Sequence, residues 1–163
     1  MKKVFLVFLA SSLFFSCQKE HTPPKNTYQN NASTITLEDL FAKFAAEGLA
    51  RGYDIDLESA NISGQISEIN TEYVAGRCYA GLNNSSQIII DSTFWYSMSD
   101  LTKEMIVFHE LGHCYLKRSH EDGTLSNGAC MSVMRSGLED CSDNYTTITR
   151  GYYIDELFEG ADL

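Results

Sequence analysis

Residues 109–113, which read His-Glu-Leu-Gly-His, constrain this chain more than any other feature. They lie in a segment, residues 100–117, whose spacing of apolar side chains predicts a helix. Successive helical residues are 100° apart around the axis, so His109 and His113 lie one turn apart on the same face, about 6 Å from each other. Two imidazole nitrogens can therefore reach one metal ion.

The predicted helix is buried on most sides. Its apolar residues point in nearly every direction around the axis; they are Leu101, Met105, Val107, Phe108, Leu111, Cys114 and Leu116. Two histidines and a glutamate in such a helix need partners, because an unpaired buried polar group costs about 1–3 kcal/mol. A metal ion would satisfy all three side chains, whereas the competing interpretation leaves them solvated on an exposed face.

Zinc is the ion that this spacing favours. It takes nitrogen ligands at about 2.0–2.1 Å in a near-tetrahedral arrangement, and a hydrolytic site leaves one position to water. Glu110 lies about 100° around the helix from His109, which keeps it from binding the ion but lets it act as a general base. The sequence thus predicts one catalytic Zn²⁺ held by His109, His113 and a third protein ligand.

The N-terminus has the pattern of an export signal. Lys2 and Lys3 precede an apolar run, residues 4–15, that is too short to span a bilayer comfortably. Ser16 and Cys17 follow, which resembles a bacterial lipoprotein signal with cleavage before Cys17 and acylation of that cysteine. Ordinary signal-peptide cleavage is the alternative, because the bulky residues just before Ser16 depart from the usual lipoprotein pattern.

We therefore expect a signal peptide over residues 1–16, a lipidated tether over residues 17–33 and one folded domain over residues 34–163. The tether is polar and holds both prolines of the chain, which is typical of a linker. About 130 residues remain, enough for one domain with a real core. The expected location is a bacterial membrane, at the outer membrane or cell surface.

The charge of the chain excludes several partners. Without Lys2 and Lys3, ten basic residues stand against 22 acidic ones, a net charge of −12. Such a balance argues against binding to nucleic acid or to anionic lipid. We expect a monomer whose membrane contact is its lipid anchor.

Four cysteines remain once Cys17 is assigned to the lipid. In an exported protein, Cys78, Cys114, Cys130 and Cys141 predict two disulfides with three possible connectivities, although free thiols stay open. The preferred pairing is Cys78–Cys114, which joins a strand to the motif helix, together with Cys130–Cys141, which closes a short loop.

Around the motif the patterns alternate between helix and strand. Thr36 and Asp39 have the form of a capping box at the start of a first helix, which Gly52 is expected to end. Strand signals run from residue 53 to residue 94, and Ser97 or Ser99 is predicted to cap the motif helix. The predicted strands are residues 65–69, 72–75, 76–80 and 87–91, and a last helix is predicted over residues 147–158. This order predicts an α+β fold.

The motif, His120 and Met134 together resemble a zincin metallopeptidase of the metzincin or matrixin type. The resemblance implies a zincin-like fold, in which a small twisted mixed sheet is joined by an N-terminal helix, a buried zinc-binding helix and a C-terminal helix. It also implies that His109, His113 and His120 bind zinc. Glu110 would be the general base, and Met134 would lie beneath the metal in a Met-turn.

The resemblance covers residues 87–158 and departs from the family at the turn after the motif. The metzincin pattern has a glycine three residues after the second histidine, where this chain has Leu116, and His120 comes one residue late. A glycine adopts positive φ at little cost. Without it, Lys117 or Arg118 must make the bend.

Several roles stay open at this point. Glu121 and Asp122 compete with the histidine as third ligand, because carboxylates also bind zinc. Met134 is either the Met-turn residue or an ordinary core residue. Tyr152 and Tyr153 either supply a phenol to the oxyanion or pack in the last helix.

The favoured hypothesis is a membrane-tethered zinc endopeptidase that acts on peptide or protein substrates. Its rival is a surface binding lipoprotein with a structural or vestigial metal site and no peptidase activity. A third class, an inactive adhesin-like module, predicts no stoichiometric zinc.

Overall fold

Helices and strands alternate in the part of the chain that the structure describes. The computed structural model describes residues 35–137 and 142–161, all within one unit, residues 32–163. In chain order the elements are α1 (Leu37–Ala50), β1 (Ile62–Ser67), β2 (Gly76–Ala80), β3 (Ser86–Asp91), α2 (Ser92–Ser97), α3 (Asp100–Cys114) and α4 (Arg150–Glu159). The predicted α+β class is confirmed. None of the described helices combines the length and apolarity needed to cross a bilayer.

The strands form a mixed sheet in the order β1-β3-β2. β1 runs parallel to β3, and β2 runs antiparallel to it, with Cys78 opposite Ile88. Ile88 and Ile90 are fully buried, while Ile89 between them is only half-buried on the other face. Because side chains alternate across a strand, the apolar run predicted as sheet interior directs every second residue into the core.

The core lies between the sheet and three helices. α1 begins with the predicted capping box, in which Thr36 accepts from the backbone N–H of Asp39 and Asp39 accepts from that of Thr36. Farther along α1, the ring of Phe44 packs 5.1 Å from that of Phe108 on α3 and 5.0 Å from that of Phe158 on α4. Edge and tilted aromatic pairs of this kind are favourable, so Phe44 joins the three helices.

The motif helix α3 is enclosed as predicted, and Ser99 is its N-cap. The buried side chains from Lys103 to Gly112 include four that are polar or charged. The helix ends at Cys114, three residues earlier than predicted, because the chain turns at Lys117, whose φ is +58°.

Two predictions of local structure are wrong. Residues 72–75 do not form a strand, since Tyr73 has a φ of +62°, in the left-handed region that strands exclude. Residues 92–97, which carried strand and cap signals, form α2 instead, because Asp91 accepts hydrogen bonds from the N–H groups of Thr93 and Phe94 and caps a helix there. The first strand also begins and ends earlier than predicted.

Several predictions fall outside the described residues. These are the signal peptide at residues 1–16, the acylated Cys17 and the tether at residues 17–33. They stay predictions.

Candidate metal centre

His109 and His113 project from α3 into one site. Their ring centroids are 4.7 Å apart and their Nε2 atoms 3.1 Å apart. His109 is buried and His113 is half-buried. Helical periodicity places the rings on one face, and the surrounding loops determine where the rings point.

Each Nδ1 atom faces a backbone carbonyl. The Nδ1 of His109 lies 2.7 Å from the oxygen of Val133, and the Nδ1 of His113 lies 2.7 Å from the oxygen of Arg118. A carbonyl oxygen only accepts, so each Nδ1 carries the hydrogen and each Nε2 of a neutral ring presents a lone pair. Two lone pairs at 3.1 Å repel each other unless a cation lies between them.

His120 completes a cluster of three imidazoles. Its ring centroid lies 5.4 Å from that of His109 and 4.7 Å from that of His113, and one nitrogen from each ring falls within 4.8 Å of the others. The bend that brings it there is made at Lys117, one of the two residues predicted to replace the missing glycine. The ammonium of Lys117 also donates to the carbonyl of Cys114 at the end of α3.

The donor set fits a zinc ion. Two nitrogens of a tetrahedral zinc site, each at about 2.0–2.1 Å from the ion, lie about 3.3 Å apart, close to the 3.1 Å between the two Nε2 atoms. The ring of His109 is also in the right protonation state. Burial, together with the neighbouring His113 and His120, outweighs the hydrogen bond to Val133 and lowers the pKa of His109 to about 4. The ring is therefore neutral and able to bind a metal at pH 7.

The carboxylates that competed for the third position are held elsewhere. Glu121 accepts from the backbone N–H of Gly123, and Asp122 accepts from the N–H and hydroxyl of Ser136. Neither belongs to the cluster, which consists of the three histidines.

Glu110 lies on the neighbouring face of α3, against strand β2. Its carboxylate accepts from the backbone N–H of Cys78, and burial raises its pKa to about 7. Gly76 makes this approach possible, because a Cβ atom there would lie 2.9 Å from both the Cγ and the Oε1 of Glu110. No local sequence pattern singled out Gly76, since only the packing of β2 on α3 requires it.

A cleft of about 660 Å³ opens onto Glu110 and the three histidines. One wall comes from α2 and the first half of α3 and is mostly apolar; it is lined by Phe94, Met98, Thr102, Met105 and Ile106. The other wall comes from residues 73–78, which lead into β2 and form its first half. The cleft therefore has room for an extended chain segment beside the polar cluster.

The comparison with protein families agrees with this geometry. The family described as "Putative phage metallopeptidase" matches residues 40–150, more than half of the chain and all of the cluster. This chain belongs to that metallopeptidase family. No curated protein and no solved structure matches it.

Within this member of the family, Met134 lies against the motif helix α3. Its side chain is fully buried beside Gly112, where a Cβ atom would lie 2.4 Å from the sulfur. The glycine inside the motif therefore makes room for the methionine. A backbone hydrogen bond connects the loop of His120 with the loop of Met134, since the N–H of Glu121 donates to the carbonyl of Met134 at 2.9 Å.

A disulfide joins the two elements that flank the general-base candidate. Cys78 on β2 is bonded to Cys114 at the end of α3, with 5.6 Å between their Cα atoms, as predicted. Cys130 is disulfide-bonded too, but Cys141, its predicted partner, lies outside the described residues, so that pairing stays a prediction.

The tyrosines of α4 do not reach the cleft. Tyr152 donates its hydroxyl hydrogen to the carbonyl of Met131, and Tyr153 donates to that of Cys130. Both tyrosines therefore have a structural role and do not supply a phenol to the oxyanion.

The sequence did not point to the carbonyls of Arg118 and Val133, because backbone groups leave no pattern in a sequence.

Proposed function

We propose that this member of the metallopeptidase family is a zinc endopeptidase. One observation carries the proposal. The buried carboxyl of Glu110 and three converging imidazoles border the same substrate-sized cleft. A site that only stabilised the fold would have no use for an acidic side chain facing that space.

The protein's own groups supply the acid–base chemistry and the orientation. When bound, zinc would polarise the scissile carbonyl and lower the pKa of water towards about 7. Glu110 accepts a proton from the attacking water on its carboxylate as the oxygen–carbon bond forms. It then delivers this proton to the amine nitrogen as the carbon–nitrogen bond breaks. The backbone N–H of Cys78 faces this carboxylate from strand β2.

The metzincin-type arrangement is part of the proposal. His109, His113 and His120 would be the ligands, and Met134 the Met-turn residue. Two observations support this arrangement. Lys117 makes the bend for which the metzincin pattern uses a glycine, and the side chain of Met134 packs against Gly112.

We also propose that the enzyme is exported and anchored through acylated Cys17, with residues 17–33 as the tether, at the outer membrane or cell surface. The basic start, the short apolar run and the Ser16-Cys17 pair support this. Labelling with a fatty acid tests it: we expect incorporation into the wild-type protein and none into Cys17→Ser. Equal labelling of both proteins would exclude this anchor.

Metal analysis together with peptide-library cleavage tests the enzymatic proposal. We expect one zinc per chain, cleavage of peptides, and loss of cleavage when a chelator is added. Stoichiometric zinc without any cleavage would instead favour the binding lipoprotein. Protein that retains no zinc would refute the metal centre.

A further inference from the structure

The C-terminal helix α4 contacts both loops that orient the histidines, although it contributes no ligand. We infer that α4 sets the direction of the two ligand imidazoles, with Arg118 as the principal positioning residue and Tyr153 as a second. This inference rests on the proposed metal centre.

Arg118 connects His113 directly to α4. Its carbonyl accepts from the Nδ1–H of His113 at 2.7 Å, and its N–H donates to the carbonyl of Gly112 at 2.9 Å. Its side chain, only 10% exposed, donates to the carbonyls of Glu156 and Leu157 at 3.0 and 3.3 Å and to the Glu156 carboxylate at 2.6 Å. A guanidinium matches the last carbonyls of a helix in both charge and geometry.

Gly160 makes room for this contact. A Cβ atom there would lie 2.7 Å from the Cζ of Arg118 and 2.8 Å from its Nε. The glycine needs no unusual backbone angle, since its φ is −84°. Its lack of a side chain is therefore explained by the guanidinium that packs on it.

Tyr153 supports the other histidine through the loop that follows Cys130. Its buried hydroxyl donates to the carbonyl of Cys130 at 2.9 Å, and Tyr152 donates to that of Met131 at 2.8 Å. Two residues later, the carbonyl of Val133 accepts from the Nδ1–H of His109 at 2.7 Å. Both carbonyls that hold the imidazoles thus belong to loops tied to one helix.

Ion pairs fix α4 to the other helices, so it can hold the two histidine loops in a constant position. At its first residue, the guanidinium of Arg150 donates to the carboxylates of Glu104 on α3 and Glu47 on α1. Partners that hold the second nitrogen of a ligand histidine typically change metal affinity by about 10–100-fold when they are lost. An effect of that order is expected when the link between α4 and the histidines is weakened.

Two pairs of variants test the inference. Arg118→Lys keeps the charge beside Glu156 but removes the planar fork, and its control is Arg51→Lys, at an arginine that pairs with Asp155 of the same helix. Gly160→Ala displaces the guanidinium with one methyl group. Its control is Gly151→Ala in the same helix, where a Cβ atom meets nothing within 4 Å.

The measurements are the zinc dissociation constant, by competition with a chromophoric chelator, and the absorption spectrum of the cobalt-loaded protein, both well below each variant's unfolding temperature. We expect Arg118→Lys to weaken zinc binding about 10-fold and to shift the cobalt bands. Gly160→Ala should act in the same direction with a smaller effect, and both controls should stay within about twofold of wild type.

The result that overturns the inference is wild-type zinc affinity and a wild-type cobalt spectrum in Arg118→Lys and Gly160→Ala, even if both unfold more easily. Equal losses in the two controls would overturn it as well. Failure of the wild-type protein to bind zinc would instead refute the metal centre, so the two failures are distinguishable.

Discussion

Glu104 and Glu110 are the same residue type, less than two turns apart on one helix, with 1% and 4% of their surfaces exposed. Their partners differ. Glu104 is surrounded by the ammonium of Lys43, the guanidinium of Arg150 and the hydroxyl of Tyr145. Glu110 has one backbone N–H, from Cys78, and faces the cleft. Burial alone therefore does not distinguish the fully paired carboxylate from the one that faces the cleft, whereas the partners of each do.

The pKa values show the same contrast. Burial would raise the pKa of Glu104, but the hydrogen bonds from Arg150, Lys43 and Tyr145 outweigh it and hold the pKa below its usual value. Burial dominates at Glu110, whose pKa is raised to about 7. Incompletely paired buried groups with shifted pKa values are typical of active sites, where a later partner arrives with the ligand.

Replacing Glu110 with glutamine should produce the largest effect. General-base catalysis contributes about 10²–10⁴-fold, so kcat/KM in a peptide-cleavage assay should fall by that factor. Zinc content should stay at the wild-type level, because Glu110 is not a ligand. Stability in urea should not decrease, because a neutral amide is cheaper to bury than a carboxylate. Wild-type activity in this variant would refute the role of Glu110 as general base and with it the contrast with Glu104.

The corresponding change at Glu104 should affect stability instead. Removing the charge of a buried, paired carboxylate costs about 3–5 kcal/mol, since Lys43 and Arg150 lose this carboxylate and Arg150 is left with Glu47. We expect Glu104→Gln to lower the free energy of unfolding in urea by about this amount, while the folded fraction keeps its kcat/KM. A specific loss of activity without loss of stability would contradict a structural role.

The difference in unfolding free energy between wild type and Glu104→Gln should depend on pH, and this dependence tests the ion pairs around Glu104. Because the pKa of Glu104 is lower in the folded protein than the ordinary 4.5, its contribution to stability is fully present above pH 4.5. It should disappear as the pH falls through the folded-state pKa. The gap between wild type and Glu104→Gln should therefore shrink below pH 4.5, and a constant gap would show that charge is not involved.

His120 extends the comparison between Glu104 and Glu110. It belongs to the loop after α3 and joins the histidine cluster on the side of the helix that faces the cleft. His120→Ala should weaken zinc binding by at least about 100-fold, more than the loss of a partner behind a ligand usually costs. Glu121→Gln, at the neighbouring carboxylate, serves as the control and should bind zinc like the wild type. Chelator competition measures both, and the reverse order of effects would make Glu121 the third ligand.

Gly112→Ala should have the smallest effect. A methyl group there would lie 2.4 Å from the sulfur of Met134, and forced overpacking of a core costs about 1–3 kcal/mol. Gly151→Ala, with open space around it, should not destabilise the protein. Urea denaturation distinguishes the two. Equal stabilities would mean that Met134 moves aside freely and does not depend on the glycine.

Local patterns predicted the parts of the molecule that local interactions determine. The capping box at Thr36, the strand at Gly76–Ala80 and the motif helix from Asp100 all occur as expected. Each depends on contacts within a few residues along the chain. The Cys78–Cys114 bond was predicted as well, as part of the preferred one of three connectivities.

Two predictions failed in segments with strand signals. Tyr73 adopts positive φ, and Asp91 caps a helix through the nearby N–H groups of Thr93 and Phe94, a local signal that the strand pattern concealed. The cluster around Glu104 was not foreseen either, because its partners come from α1, Tyr145 and α4.

The sequence by itself determined that His109, Glu110 and His113 share one turn of a buried helix, because a helical repeat depends only on spacing along the chain. Tertiary structure alone decided that His120 reaches them, that the carbonyls of Arg118 and Val133 orient them, and that Glu110 borders the same cleft. These outcomes depend on groups brought together from distant parts of the chain, and only the packed fold determines which of them meet.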